Sequence, residues 1–406
     1  MKTHFAIIIS FALLQPAAAP SQPASSLIPD QAALTQGNNA FAIDLYGQLR
    51  RQPGNLFFSP ASISTAFAMA YAGASGTTAA EMASTLHFAL PPDKLHPAMG
   101  ALLAAFNAPH KGYQLRVADA LWAQQGESFL PAFLKVNKTD YAAGLHSVDF
   151  EHASEPARLT INHWVEQQTA DKIQGLLPPG SVDAATRLVL TNAIYFKGDW
   201  QSQFDKTSTA LEDFDLSEAS SVKAPLMHRT GSFRYFNGAG FHALEIPYQS
   251  GDLSMIVFLP NSIDGLPALE QSITVSSLQS WIDHLRFASK VNLALPRFKM
   301  TRQFSLNGAL AALGMRQAFD RNSADFSAMT GRRNLWIGAA VHKAYIEVNE
   351  EGTEAAAATG MTMQAAAMRQ EPPPIVFRAD HPFLFVIRES RSGSILFMGR
   401  VTDPTR

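Results

Sequence analysis

Glu350-Glu351-Gly352-Thr353-Glu354-Ala355-Ala356-Ala357-Ala358-Thr359-Gly360 is the stretch whose reading decides this chain, with the small and polar residues that carry it on to Pro372-Pro373-Pro374. It lies between two strand-like segments, 341–348 and 382–387. A connection of this length without core residues of its own is uncommon inside a compact domain and is usually functional or disordered. From Thr353 onward the odd-numbered side chains are Thr, Ala, Ala, Thr, Met, Met and Ala, and the even-numbered ones Glu, Ala, Ala, Gly, Thr, Gln and Ala. One small or apolar face and one more polar face is the period-2 pattern of a half-buried strand. The connection is therefore expected to be able to leave the surface and become a strand. Alanine also favours helix, so the bland reading of Ala355–Ala358 is a helical or flexible linker.

The surrounding 406 residues are 47% apolar and 16% charged, a globular composition, and the formal charge of −2 points to neither nucleic acid nor an acidic membrane as partner. Met1 to His4, the apolar run Phe5–Leu14 and Ala17-Ala18-Ala19 have the order of a signal peptide, expected over 1–19, and are too short to span a bilayer. Residues 20–36 are rich in Pro, Ser, Ala and Gln and read as a flexible leader. There is no cysteine, so stability rests on packing without disulfides.

Asn38-Asn39 offers a cap for a first helix carrying Phe41, Leu45 and Leu49 on one face, Ser59-Pro60 opens a second, and Thr78-x-x-Glu81 is a capping-box pattern for a third. Segments 115–123, 188–196, 253–260 and 291–298 read as strands, and 159–170 and 304–313 as helices. The interleaving has no βαβ rhythm and no repeat, so one α+β domain is expected. Motifs for catalysis are missing: no Gly-x-Ser-x-Gly elbow, Walker A loop or His-Glu-x-x-His helix occurs. Gly238-Ala239-Gly240 reads as a hairpin turn, not a dinucleotide fingerprint. None of the twelve histidines pairs with another at helical metal-ligand spacing. Neither an enzyme, a metal nor a cofactor is expected.

Several segments together resemble the serpin family. They are Asn55-Leu56-Phe57-Phe58-Ser59-Pro60 with Ser62-Ile63, Leu190-Thr191-Asn192-Ala193-Ile194-Tyr195-Phe196-Lys197-Gly198 with Trp200, Ile161-Asn162 with Trp164-Val165-Glu166, Leu295-Pro296-Arg297-Phe298, Ala324-Asp325-Phe326-Ser327, Val341-His342-Lys343-Ala344, and the tail His381-Pro382-Phe383-Leu384-Phe385 with Phe397-Met398-Gly399-Arg400-Val401. The resemblance covers about 39–404. It implies a serpin domain over 37–406, with three β-sheets, about nine helices and an exposed reactive-centre loop over about 350–374. It also implies a suicide-substrate inhibitor: a serine protease, with cysteine proteases as a further target class, attacks the loop and forms an acyl-enzyme. The cut loop then enters the main sheet as a new strand, and about 14 residues at roughly 3.4 Å each would carry the enzyme nearly 50 Å. The driving energy would be the stored strain of a metastable fold, a release for which serpins are themselves the usual example.

Carried over residue by residue, the resemblance makes Gly352, Thr353, Glu354, Ala355, Ala356, Ala357 and Ala358 the hinge. Ser59, Ser62, Asn192 and His342 become a polar cluster where the sheet opens, and Trp200 marks the top of that sheet. Counting from Gly352 places the reactive bond between Ala366 and Ala367, which suits an elastase-like enzyme. Counting back from Phe377 brings it near Met368 or Arg369, and a bond between Arg369 and Gln370 would suit a trypsin-like one. Asp119 departs from the family, which often has asparagine there, and puts a local hydrogen bond in doubt. Residues 96–111 hold no basic cluster, so glycosaminoglycan binding is not expected. The expected product is a monomer, exported to a bacterial periplasm or outside the cell, with eukaryotic secretion open. The competing reading is a serpin-fold carrier, chaperone or storage protein without inhibition.

Overall fold

The computed structural model describes residues 29–142, 145–352 and 373–406. Among these, fourteen strands follow in chain order: β1 (Leu56–Phe58), β2 (Tyr113–Gln124), β3 (Leu145–Val148), β4 (Leu188–Gly198), β5 (Ala210–Ser217), β6 (Ser220–Gly238), β7 (Phe241–Pro247), β8 (Leu253–Pro260), β9 (Arg286–Pro296), β10 (Phe298–Ser305), β11 (Ile337–Val348), β12 (Ile375–Arg378), β13 (Phe383–Glu389) and β14 (Ile395–Val401). Ten α-helices accompany them.

The strands form two ladders. The smaller has the order β10-β11-β4-β2-β3 and the larger β1-β14-β13-β8-β7-β6-β9-β12, with β5 on β6. The three sheets expected from the family therefore appear as two continuous ladders. The cause is β6, whose 19 residues pair in turn with β5, β9 and β7 and so join what would otherwise be separate sheets. A register shift between Gly231 and Phe233 marks the bulge where that long strand changes partner positions.

Alternation along β2, β4 and β11 sorts their side chains between two cores. Leu115, Leu121, Leu190, Ile194, Ala344 and Ile346 join the main core, which continues into the larger ladder. Ala118, Trp122, Val189, Tyr195, Val341 and Tyr345 face the other way, under Ile161 and Val165 of the helix Phe150–Gln168. The helix Pro60–Tyr71 runs inside the main core, buried at every position from Pro60 to Ala70. Pro60 at its first turn and the Ser59 side chain, which accepts from the Ser62 amide, fix its start as the Ser-Pro pair implies.

Two helix starts differ from the sequence reading. The first helix spans Pro29–Leu49, so it begins inside the stretch expected to be a leader over 20–36. Pro29 suits a first turn, Asp30 follows it, and Leu34 packs on the core, so the polar composition conceals a docked helix. Asn38 and Asn39 then lie within that helix and cap nothing. Asn38 donates to the Ile395 carbonyl at 2.8 Å and Asn39 to the Gly393 carbonyl at 3.0 Å. The third helix, Gly76–Thr85, starts after Ser75, which leaves Thr78 and Glu81 inside it. Glu81 instead accepts from the Arg316 and Gln317 amides, at 2.8 and 2.7 Å. The pair Gly238 and Gly240 closes the β6–β7 hairpin as read. The expected signal peptide, 1–19, lies outside the described residues.

Candidate functional site

The site begins with three polar residues at inward positions of three neighbouring strands. Asp119 on β2 is the direct partner of Asn192 on β4, and Asn192 that of His342 on β11. Each interrupts a run of apolar side chains on the core face, and His342 and Asn192 are at most 1% exposed. Beneath them lie Ser59, Ser62 and Thr65, at and just inside the start of the buried helix. The Asn192 amide donates to the Ser62 hydroxyl at 2.6 Å, to the Ser62 carbonyl at 3.1 Å and to Asp119. The Ser59 amide donates to His342 Nε2 at 3.2 Å, so Nδ1 carries the ring proton and donates it to Asn192 Oδ1. All four residues expected at the sheet-opening position are thus brought into one network.

Burial acts on the two ionisable members in opposite senses. It pushes His342 down to about 3, consistent with a ring nitrogen committed to accepting from Ser59. It pushes the Asp119 carboxyl up to about 7, against the pull of hydrogen bonds from Asn192 and Thr65. The bond that the sequence put in doubt at Asp119 is therefore made, by a carboxyl group whose ionisation burial opposes.

The second part of the site is the origin of the long connection. After β11 the chain turns through Asn349 to Gly352, where the Gly352 amide donates to the Asn349 carbonyl at 3.2 Å. The segment following β4 holds this turn. Trp200 donates its indole N–H to the Asn349 carbonyl at 2.9 Å and its backbone N–H to the Glu351 carbonyl at 3.0 Å, and the Phe204 amide donates to Glu350 at 2.8 Å. The indole stacks on Tyr248 with ring centres 4.6 Å apart. The Glu350 carboxylate accepts from Thr209 at 2.8 Å and pairs with Arg297 at 3.6 Å, while Glu351 pairs with Lys206. Gly352 has φ +97°, and a Cβ there would lie 2.3 Å from the Trp200 nitrogen and 2.4 Å from the Gly198 oxygen. Conformation and space both require glycine.

Strand direction completes the geometry. β4 and β11 are adjacent and parallel. A chain returning from the end of β11 into the gap between them would run antiparallel to both, the better-bonded arrangement. β11 is 12 residues long, and twelve residues counted from Thr353 end at Gln364, two short of Ala366. At the far end of the connection, β12 is a four-residue strand paired in parallel with β9. Arg378 secures it through Glu212 at 2.6 Å and Asp380 at 2.5 Å.

Thr353, Glu354, Ala355, Ala356, Ala357, Ala358, Ala366, Ala367, Arg369 and Gln370 lie outside the described residues. The sequence reading did not single out Thr65, Asn349, Arg297 or Tyr248, whose partners are distant in the chain. Asp119 did carry a signal, a carboxylate at an inward position of an apolar strand. Among the described residues no group of three or more His, Cys, Asp or Glu could hold a metal ion, and no helix is long and apolar enough to cross a membrane.

Residues 36–404 match the family model described as Serpin (serine protease inhibitor). The chain is 43% identical to the human leukocyte elastase inhibitor over 382 residues, 91% of this chain and 99% of that protein. It is 38% identical to human Serpin B3 over 395 residues, 92% of this chain and all of that one. Among solved structures, uncleaved ovalbumin superposes with a TM-score of 0.84 at 32% identity, covering 92% of this chain and all of that one. Serpin48 of the insect Tenebrio molitor, described as highly specific, gives 0.81 at 33%, covering 93% of this chain and all of that one.

Proposed function

The chain belongs to the serpin family, and from that premise we propose that it is a suicide-substrate inhibitor of serine proteases, elastase-like enzymes first. The observation that carries this reading is the parallel seam of β4 and β11 at the root of the long connection. The seam can accept an antiparallel strand, and the segment beginning at Thr353 has the small side chains and the length to supply one. The similarity to leukocyte elastase inhibitors and the alanine at position 366 both favour a protease with a small specificity pocket.

In the proposed reaction the protease nucleophile attacks the Ala366 carbonyl carbon. The bond to Ala367 breaks, its nitrogen leaves as a free amine, and the enzyme stays esterified to Ala366. The freed segment Thr353–Ala366 then enters the seam. Gly352 and its anchors on Trp200 serve as the pivot, and Ser59, Ser62, Asn192 and His342 as the ties that part and re-form. The leader pattern of residues 1–19 supports export. The relatives named above are animal proteins, and a bacterial source draws no support from them.

The test mixes the purified protein with neutrophil elastase and with trypsin and looks for a complex that survives boiling in detergent. Sequencing the released C-terminal peptide locates the cut. A peptide beginning at Ala367 is expected, and one beginning at Gln370 moves the bond to Arg369 and leaves the mechanism intact. Cleavage without any stable complex, and without a gain in thermal stability of the cut protein, overturns inhibition in favour of a carrier, chaperone or storage role.

A further inference from the structure

The helix Pro92–Asn107 carries Ala98, Ala101 and Ala105 at i, i+3 and i+7, so one of its faces is built from small side chains. These alanines line a cleft together with Leu34 and Asn38 of the first helix and Ser64 of the buried helix. The space left by the small residues is about 620 Å³, within the roughly 300–1,000 Å³ of small-molecule sites. Ala101 and Ala105 are exposed, so the cleft opens to solvent along the alanine face. None of its residues belongs to β4 or β11.

Two polar side chains of this cleft are incompletely paired. Asn38 and Ser64 are 5% and 2% exposed, and among the described residues neither Asn38 Oδ1 nor Ser64 Oγ has a hydrogen-bond partner. The Asn38 amide nitrogen is committed to the Ile395 carbonyl at 2.8 Å and to the Ser394 hydroxyl at 3.2 Å. A carbonyl only accepts, so the nitrogen must face it, and the amide oxygen is left as an unmet acceptor. Buried polar groups without a partner are costly and rare, and here two of them line the same cleft. Met99, unbranched and adaptable, lines it as well and can turn aside to admit a donor. The rim sets the sign of the charge. Asp30 pairs with Lys94 across it at 3.7 Å, and Asp93 adds a second carboxylate. An anion would meet net negative charge there, whereas a neutral or cationic molecule would not.

We propose that the cleft is a binding site for a small, largely apolar molecule that carries an N–H or O–H donor and no negative charge. The apolar body lies along the alanine face, and the donor meets Asn38 Oδ1 with Ser64 as its second partner. The site does not depend on the proposed insertion mechanism, and either can fail without the other.

The test titrates the full chain with N-phenyl-α-naphthylamine, a neutral apolar fluorophore with a single N–H, and follows its fluorescence. Saturable binding at one site per chain is expected. The N-methyl derivative, which lacks the donor, should bind about three- to tenfold more weakly, the scale of one net hydrogen bond. The ring-sulfonated analogue, the same skeleton with a negative charge, should also bind more weakly. Ala101→Trp fills the cleft from an exposed position and should abolish binding, while an unchanged urea midpoint shows that the fold is kept. Ser64→Ala is the second variant and should weaken the N–H probe more than its N-methyl derivative. Absence of saturable binding overturns the proposal. So does equal affinity in Ala101→Trp, which would place the probe elsewhere, or equal affinity for the N-methyl or sulfonated compound. Binding that appears only after removal of the residues up to Ile28 assigns the cleft to the chain's own preceding segment and likewise overturns it.

Discussion

His342 and Asn192 are direct partners across the parallel ladder of β11 and β4, and the ring Nδ1–H of one is donated to the amide oxygen of the other. The bond spans the seam that the long connection is proposed to enter, and its donor is an imidazole kept neutral by burial. The molecule thus has a side-chain tie at the interface it must open, next to a buried carboxyl group of opposite titration behaviour.

That pairing predicts a cancelled pH dependence. His342 titrates near 3 in the fold and at 6.5 ordinarily, so the unfolded chain binds the extra proton in between and stability falls as pH drops below 6.5. Asp119 titrates near 7 in the fold and at 3.8 ordinarily. The folded chain holds the extra proton in that window, and stability falls as pH rises through it. Between about pH 4 and 6.5 the two slopes oppose one another. Relative to the unsubstituted protein, His342→Gln should show urea midpoints that rise on acidification from pH 7 to 4, and Asp119→Asn midpoints that fall. Identical profiles for the two variants would falsify the assignment.

Gly352→Ala should destabilise the uncut protein. The backbone there is left-handed and a methyl group would press on the Trp200 nitrogen and the Gly198 oxygen, a combined cost of about 2 kcal/mol. The measurement is the urea midpoint of the uncut form. A midpoint within error of the unsubstituted protein would show that the turn can relocate.

Trp200→Phe keeps an aromatic ring against Tyr248 but removes the indole N–H that meets the Asn349 carbonyl at 2.9 Å. Loss of about 1–2 kcal/mol is expected from the lost hydrogen bond and the smaller ring, the Asn349 carbonyl keeping its bond from the Gly352 amide. Faster amide exchange should appear at Glu351, whose carbonyl faces the same segment. Unchanged exchange at Glu351 alongside a normal stability loss would reduce Trp200 to a packing residue.

Thr353→Arg places a long cation on the face that must slide between β4 and β11. Cleavage by the target protease should proceed at its usual rate, while the detergent-stable complex gives way to free enzyme and cut protein. Retention of most of the complex would mean that entry begins beyond position 353.

Much of the fold was legible because alternation and burial coincide locally. The run 253–260 is read directly as β8, and the turn at Gly238–Gly240 as a hairpin. Pairing was not legible in the same way. That β11 lies parallel to β4, about 150 residues earlier, depends on tertiary contacts that no local pattern encodes. The first helix was misplaced because residues 29–36 hold a single large apolar side chain, Leu34, and gain their helix from docking through it. At the site, the four cluster residues came from family resemblance. Asp119 stood out as an anomaly whose meaning needed the position of Thr65.

The connection that leaves β11 is held at its other end by β12, four residues long, paired among the described residues with β9 alone and secured by Arg378. Between Gly352 and Ile375 there are 22 residues. If twelve enter the seam uncut, the ten that remain bridge eleven steps from Gln364 to Ile375, about 37 Å when fully extended, short of the roughly 40 Å they would have to retrace. Either a protease severs the chain or β12 lets go. On the proposed insertion mechanism, the strength of that short edge strand is then a clock: it sets how long an unused molecule keeps its capacity to react, independently of anything the protease does.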